Sequence, residues 1–335
     1  MQAFEYVTPV KKEQVATLLG EQAAILAGGT DLLALMKDDV VAPKRLVNVK
    51  QIDGLRGVTY QPGNGLRIGA LVTLAELADD ENVRKNYPVL AEAAIEAASP
   101  QIRNLATVGG NMCQRPRCWY FRNGMGLLAT TKDGKSMVVE GDNRYAAILG
   151  TQGPAYFVSP STLAPVLIAY GAKIRLYSAK ASGAGVRELR LEKFFITPTR
   201  DGEREHDLKP DEMVIELIVP PPVQNLKASS YEVRQRAAFD WPLAHAAVAL
   251  EMDGDTVKRA RIVLGQAAPA PWISDEAAAA LVGKPVNNDT AMAAANAAVA
   301  NAKPLSRNKY KITLTKAAVK RAVLNAAAGR AGGVA

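Results

Sequence analysis

In the first fifty residues, short apolar runs alternate with segments in which apolar residues recur at helical spacing. Val15, Leu18 and Leu19 fall on one face of a short helix that ends at Gly20. In chain order, the pattern predicts an edge strand (AFEYV), that helix (KKEQVATLLG), a buried strand (AAILAGG), a second helix (TDLLALMKDD) and another strand (RLVNVKQI). The last three elements form a small βαβ unit with a Gly-Gly turn at its centre.

The chain continues with mixed strands and helices. Strands are predicted in GLRIGALVT and MVIELIVP, two helical patterns in residues 74–99, and a helix followed by a strand in LAPVLIAYGAKIRLYS. The prolines of Pro220–Val223 indicate a linker. Beyond it, strands come first and three alanine-rich helices follow, the first capped by Ser274 or Asp275. This order predicts an α+β fold.

Composition narrows the class of protein. The 335 residues are 48% hydrophobic and 22% charged, which is typical of a globular protein with two or three domains. No run of 18 apolar residues is present, and the first residues lack the pattern of a secretory signal, so we expect a cytoplasmic protein. The net charge is +8, but the basic residues are scattered, which favours an acidic partner subunit or an anionic cofactor over nucleic acid.

Two glycine turns are the main candidates for a binding site. Gly28 and Gly29 lack a Cβ atom and allow a close approach of the backbone to a ligand, while Thr30 and Asp31 are suited to cap the helix that follows. A helix N-terminus behind such a turn binds anions, phosphate above all. A tight turn without a ligand is the alternative. A second Gly-Gly stretch, Gly109–Gly110, precedes Asn111.

The chain has two cysteines, Cys113 and Cys118, in the segment CQRPRC. Two thiols are too few for a disulfide framework or a four-thiolate metal site. The two histidines, His206 and His245, are distant in sequence. Composition alone therefore favours ordinary reduced thiols and no metal site.

Several motifs together indicate a family. The two turns, in LAGGTDLL and ATVGGNM, occur with LRIGALVTLAELA, PSTLAPVLIAYGAKI, YEVRQRAAFDWPLA and KYKITLTKAAVKRAVL. With these motifs the chain resembles the FAD-binding (medium) subunit of the molybdenum hydroxylases, the xanthine dehydrogenase family, and most of all its bacterial aldehyde oxidoreductase branch. The resemblance implies a two-part FAD-binding domain, a βαβ unit (residues 1–53) and a larger α+β part (54–222). An α+β domain like the CO dehydrogenase flavoprotein C-terminal domain follows (223–335).

The resemblance also implies which residues bind FAD. The first turn would hold the pyrophosphate, and the residues assigned to it are Ile25, Leu26, Ala27, Gly28, Gly29, Thr30, Asp31 and Leu32. Thr107, Gly110 and Asn111 would complete the diphosphate and ribityl site. Val214 matches an aliphatic position near the flavin, and Thr162 stands where relatives commonly have an aspartate.

The implied function is electron transfer in a heteromeric molybdenum hydroxylase. A large partner subunit would carry molybdopterin and oxidise an aldehyde or N-heterocycle, and a small subunit with 2Fe-2S clusters would pass the electrons to FAD in this chain. An external acceptor such as NAD, oxygen or a quinone would take them, so no catalytic acid or base is expected here. A structural subunit with weak or lost FAD binding and a freestanding flavin oxidoreductase are the alternatives.

The sequence departs from the family at three places. CQRPRCWYFRNG resembles a loop that holds a 4Fe-4S cluster in some relatives, but such a cluster needs four thiolates and this chain has two, so we expect the cluster to be absent. Thr162 adds no charge. Glu232 replaces a common lysine and would disfavour a reduced, anionic flavin unless Arg234 and Arg236 compensate. Export to the periplasm by a partner-borne signal is the alternative to a cytoplasmic location.

Overall fold

A computed structural model describes residues 1–178, 185–236 and 240–333. Residues 237–239 of the YEVRQRAAFDWPLA motif and the last two residues of the chain lie outside the described residues. Three sheets and the helices packed on them make up the described fold. The predicted α+β class is confirmed.

The N-terminal unit is a three-stranded parallel sheet with strand order β1-β3-β2. Its elements are β1 (Glu5–Val7), α1 (Lys12–Leu18), β2 (Ala23–Leu26), α2 (Leu32–Lys37) and β3 (Arg45–Asn48). The predicted βαβ unit is confirmed as β2-α2-β3, with β1 at the sheet edge.

The second sheet has five strands in the order β4-β5-β8-β6-β7, and all neighbours are antiparallel. The strands are β4 (Val58–Gln61), β5 (Gly65–Gly69), β6 (Lys173–Tyr177), β7 (Val186–Arg190) and β8 (Met213–Val219). The helices of this part of the chain are α3 (Leu74–Asp79), α4 (Glu81–Asn86), α5 (Pro88–Glu96), α6 (Pro100–Arg103), α7 (Val108–Cys113), α8 (Trp119–Arg122), α9 (Met137–Glu140), α10 (Leu163–Ala169) and α11 (Leu191–Phe194).

Residues 74–99 contain three helices where the pattern predicted two. The carboxylate of Asp80 accepts a hydrogen bond from the Val83 N–H (3.0 Å) and so starts α4 as a separate helix. Pro88 then occupies the first turn of α5, where its missing N–H costs nothing. The Asp80 cap and Pro88 therefore divide residues 74–99 into three helices, although the apolar pattern alone indicates two.

The third sheet is antiparallel, with strand order β12-β11-β10-β9. It comprises β9 (Leu226–Arg234), β10 (Pro242–Asp253), β11 (Thr256–Gly265) and β12 (Trp272–Ile273), followed by α12 (Asp275–Ala279), α13 (Asn288–Ala298) and α14 (Tyr310–Ala327). Ser274 caps α12, as one of the two predicted alternatives, because its hydroxyl oxygen accepts the Ala277 N–H. Alanines of α13 and α14 pack on this sheet.

Shared cores join the sheets. Val15 and Val47 of the N-terminal unit are fully buried in a cluster that includes Leu71 and Ile215 of the second part. Every residue of α10 is buried, and the helix packs between α5 and the strands β10 and β11. The backbone of Gly28, just after β2, lies against that of Leu105, just before α7, so the two glycine turns are next to each other.

Candidate functional site

The two glycine turns are in direct backbone contact. A Cβ atom at Gly28 would overlap the carbonyl oxygen of Leu105, immediately before the second turn. Gly29 has a φ of 74°, in the left-handed region that favours glycine. At Gly109, a Cβ atom would lie 2.9 Å from the Ala70 Cβ atom. The glycines are thus needed for contacts within the protein, between the two turns and with Ala70, as well as for a close approach to a ligand.

A cavity of about 1850 Å³ opens beside the two turns. It exceeds the roughly 300–1,000 Å³ of a typical small-molecule pocket, so it can hold a ligand as large as a dinucleotide. Its walls come from the N-terminal unit, from the second part of the chain and from the loop around Trp241 that leads into β10. The predicted residues that line it are Ile25, Ala27, Gly28, Gly29, Thr30, Asp31, Leu32, Thr107, Gly110, Asn111, Thr162 and Val214.

Leu26 is the predicted site residue that the structure places elsewhere. Successive side chains of a strand point to opposite faces, so Leu26 faces away from the cavity when Ile25 and Ala27 line it. Its side chain is buried against Met36 and Leu46 in the core of the N-terminal unit. Leu26 therefore stays a predicted site residue through its backbone alone.

Polar atoms at the turns are available to a ligand. In the described chain, the backbone N–H groups of residues 28–32 have no hydrogen-bond acceptor. The Thr162 hydroxyl is buried and also lacks a partner there, because Ser161 accepts the N–H of Ala164 (2.9 Å) at the start of α10. A glycine turn before a helix is a favourable anion site, so these donors fit an anionic ligand with many acceptors, such as the FAD diphosphate.

The second turn is fixed by its own hydrogen bonds. The Thr107 hydroxyl oxygen accepts the Gly110 N–H (3.1 Å) and caps α7. The Asn111 side-chain oxygen accepts the Ser161 hydroxyl (2.6 Å), which joins the turn to the start of α10. These bonds hold two segments of the cavity wall, the second turn and the start of α10, in a fixed arrangement.

Asp31 does not cap α2, contrary to the prediction. It stands at the N-cap position, but its side chain makes no capping hydrogen bond. Instead the carboxylate accepts the Arg115 N–H (2.8 Å) and the Arg122 guanidinium (2.7 Å), and it forms an ion pair with Arg117 (2.8 Å). The first turn is thereby tied to the CQRPRCWYFRNG segment.

The arginines of that segment are site residues that the sequence analysis missed, although their density there was a visible signal. Arg115 forms an ion pair with Glu205 and lies over the Phe121 ring (4.7 Å). The Arg117 guanidinium lies over the Trp241 ring at 4.5 Å, and burial lowers the pKa of Arg117 to about 10. Asp31 and its arginines therefore connect this loop to the first turn.

The cysteines are free thiols. Cys113 lines the cavity, and burial raises its pKa to about 12, so it is uncharged at neutral pH. Cys118 packs beside the apolar cluster of Leu128 and Phe157. Within residues 1–178, 185–236 and 240–333, no group of three or more His, Cys, Asp or Glu side chains is placed to hold a metal ion.

Glu232 does not line the cavity, contrary to the expectation that its charge would face the flavin. It is buried and paired with the Arg234 guanidinium, whose Nε donates to it at 2.8 Å. Arg234 lines the cavity and also donates to the Glu96 carbonyl oxygen (2.7 Å). Arg234 therefore compensates the carboxylate, as the sequence suggested.

Comparison with known proteins identifies the class. Residues 2–222 match the family described as FAD binding domain in molybdopterin dehydrogenase, and residues 229–326 match the CO dehydrogenase flavoprotein C-terminal domain. The chain therefore belongs to the family of FAD-binding subunits of molybdenum hydroxylases. It is an oxidoreductase subunit with an FAD-binding domain.

Individual relatives match along most of their length. The chain is 32% identical over 295 residues, 88% of each chain, to the aldehyde oxidoreductase FAD-binding subunit PaoB of Escherichia coli. It is 29% identical over 334 residues, 98% of each, to the carbon monoxide dehydrogenase medium chain of Hydrogenophaga pseudoflava.

Solved structures share the fold. The carbon monoxide dehydrogenase of Hydrogenophaga pseudoflava matches with a TM-score of 0.75 and 27% identity, over 98% of this chain and 99% of that one. Quinoline 2-oxidoreductase of Pseudomonas putida 86 matches with a TM-score of 0.76 and 25% identity, over 98% of both. Of the helices described, none is long and apolar enough to cross a membrane.

Proposed function

We propose that FAD binds in the cavity between the two glycine turns. The residues that would hold it are Ile25, Ala27, Gly28, Gly29, Thr30, Asp31, Leu32, Thr107, Gly110, Asn111, Thr162 and Val214, with the backbone of Leu26. The observation that carries this proposal is that both turns face one large cavity and that the first presents unpaired N–H groups to it.

The residues of the chain have separate tasks in this proposal. The N–H groups of residues 28–32 would bind the diphosphate, because a glycine turn before a helix is a favourable anion site. The Thr162 hydroxyl would hydrogen-bond to the cofactor without adding charge. Val214, which is buried and lines the cavity, would keep water from the flavin.

Bound FAD supplies the redox chemistry, which is electron transfer from the iron–sulfur subunit to an external acceptor. This chain contributes the position and the electrostatic surroundings of the cofactor, including the buried Arg234 on the cavity wall. Aldehydes or N-heterocycles are the proposed substrates of the whole complex, by analogy with relatives named as aldehyde oxidoreductase and quinoline 2-oxidoreductase.

We also propose the three-part division at residues 1–53, 54–222 and 223–335. The three separate sheets support it, since each is built from one of these ranges. A cytoplasmic location, with partner-borne export as the alternative, stays a prediction.

The test is a visible absorption spectrum of the chain purified with its partner subunits, together with acid release of flavin and iron analysis. One FAD per copy of this chain, with iron equal to that of the small subunit, is expected. A complex without flavin would contradict the proposal and favour a structural subunit. Flavin in a chain that purifies alone, active without partners, would favour a freestanding flavin oxidoreductase.

A further inference from the structure

A second set of hydrogen-bond donors lines the cavity, on the segment 200–212 between β7 and β8. His206 is buried here with 2% of its surface exposed, and its ring stacks on Phe194 at 5.2 Å with an angle of 9° between the planes. The backbone holds the residue in place through the Asp207 N–H, which donates to the Phe194 carbonyl oxygen (2.7 Å). The imidazole is therefore fixed on the cavity wall.

The position of the proton on the His206 ring follows from its contact with Arg204. The Arg204 guanidinium lies 3.3 Å from the His206 Nε2 atom, and a guanidinium can only donate. Nε2 is thus the acceptor, and the ring proton of the neutral imidazole is on Nδ1. Burial, followed by the charges of Arg204 and Arg115, holds the His206 pKa well below its usual value, so the ring is neutral at pH 7.

Among the described residues, the His206 Nδ1–H has no hydrogen-bond partner. This atom is buried, and the described residues offer it no hydrogen-bond acceptor. Because a buried donor without an acceptor is unfavourable, the position suits a ligand atom that accepts a hydrogen bond.

The charges around His206 favour an anion. Each carboxylate of this wall is already paired: Glu203 with Arg200, Glu205 with Arg115, and Asp207 and Glu212 with Arg187. Arg204 and Lys209, both exposed at the cavity rim, have no carboxylate partner in the described chain. Arg204 and Lys209 therefore line the cavity as two cations without a carboxylate partner in the described chain, and His206, on the same wall, adds a neutral ring N–H without an acceptor among those residues.

We propose that His206, Arg204 and Lys209 form an oxyanion subsite for a phosphate or carboxylate group of a ligand in the cavity. Two sources fit this chemistry. One is the diphosphate of FAD itself, which rests on the proposed function, and the other is an anionic external electron acceptor that enters beside bound FAD.

The test uses the complex with its partner subunits and two kinds of variant. Arg204→Gln/Lys209→Gln removes two exposed charges, and Lys85→Gln/Lys193→Gln is the charge-matched control, since both lysines are exposed and neither lines the cavity. His206→Phe removes the N–H donor, keeps a flat ring against Phe194 and leaves the net charge unchanged. Two quantities are measured: the Kd of FAD for the deflavinated complex, and the Kd of inorganic pyrophosphate for the FAD-loaded complex.

A weakening of about tenfold is expected for both site variants, as for loss of one charge-assisted hydrogen bond. An effect on FAD alone identifies the cofactor diphosphate as the source, and an effect on pyrophosphate alone identifies an external anion. Unchanged constants in both variants, or an equal loss in the lysine control, would overturn the subsite. If the wild-type complex contains no flavin, the FAD proposal fails, whereas His206-dependent pyrophosphate binding would still support the subsite.

Discussion

A Cβ atom at Gly28 would overlap the backbone carbonyl oxygen of Leu105. The first glycine turn therefore contacts the backbone of the segment that leads into the second turn. Because both partners of this contact are backbone, no side-chain movement can relieve the overlap. The close approach of the two turns at this point requires a glycine.

Gly28→Ala is expected to displace the second turn, to lower the FAD content of the complex and to destabilise the chain by about 1–3 kcal/mol. Gly28→Val, with a branched side chain, should do more. The matched control is Gly20→Ala, because Gly20 lines the same cavity and a Cβ atom there meets nothing within 4 Å. Flavin release and urea unfolding measure both effects. Full flavin content in Gly28→Ala would show that the close contact of Gly28 with Leu105 is not required for FAD binding.

Asp31 is expected to hold the 114–122 segment against the first turn. Asp31→Asn removes the charge that pairs with Arg117 and Arg122, and we expect a loss of about 2–3 kcal/mol in the free energy of unfolding. Trypsin should then cleave faster after these two arginines. Asp79→Asn is the control, since Asp79 pairs with Arg84 on the surface and should cost less than about 0.5 kcal/mol. Equal cleavage rates in the two variants would contradict this role.

The sequence was sufficient to predict the βαβ unit and the α+β class. Those features depend on local pattern and on motifs whose order is visible along the chain. That the two glycine turns form one FAD site stays a prediction, which the cavity they share supports. The face of β2 that meets the cavity was not predictable, since Ile25, Leu26 and Ala27 are all apolar and either face could be the core. The packing of Leu26 against Met36 in the core shows which face of β2 lines the cavity.

The role of Asp31 was beyond local reasoning for a different reason. A carboxylate before a helix predicts a cap, yet its partners follow it by 84 and 91 residues along the chain. Such pairs depend on the tertiary fold, which the sequence pattern does not specify. The same holds for His206, whose environment depends on Phe194 and Arg204 together.

The cysteine pair is expected to play no part in iron binding. Cys113→Ser/Cys118→Ser should leave the iron content of the complex unchanged, because two thiols without further ligands cannot hold a four-iron cluster. Iron analysis by mass spectrometry, normalised to FAD, measures this. A loss of about four irons per complex would show that a cluster is shared with thiols of a partner.

Arg234 is expected to offset the cost of burying the Glu232 carboxylate, and so to stabilise the folded chain. Arg234→Met leaves that carboxyl group buried without its cation and should cost about 3–5 kcal/mol, whereas Arg234→Met/Glu232→Met should cost much less. Burial raises the Glu232 pKa to about 7, and without Arg234 the pKa rises further. The single variant should therefore lose more stability at pH 8 than at pH 6. Additive costs in the double variant would contradict the coupling.

Lys311 should make the stability of the chain depend on pH. Its ammonium group is buried in α14 and donates to the carbonyl oxygens of Gln266 (2.7 Å) and Ala146 (3.1 Å), and burial lowers its pKa to about 7. Unfolded lysine stays protonated up to about pH 10. Between pH 7 and 10 the unfolded chain therefore binds more protons at this site, so the lysine makes stability rise with pH.

The measurement is urea unfolding of the wild type and of Lys311→Met at pH 7, 8 and 9. Comparing the two proteins at each pH cancels the opposite contribution of Cys113, whose raised pKa lowers stability above about pH 8.5 in both. The stability of the wild type relative to the variant should increase at each step, by up to about 1.4 kcal/mol per pH unit. A constant difference would mean that Lys311 keeps its proton in the folded chain, held by the carbonyl oxygens around it.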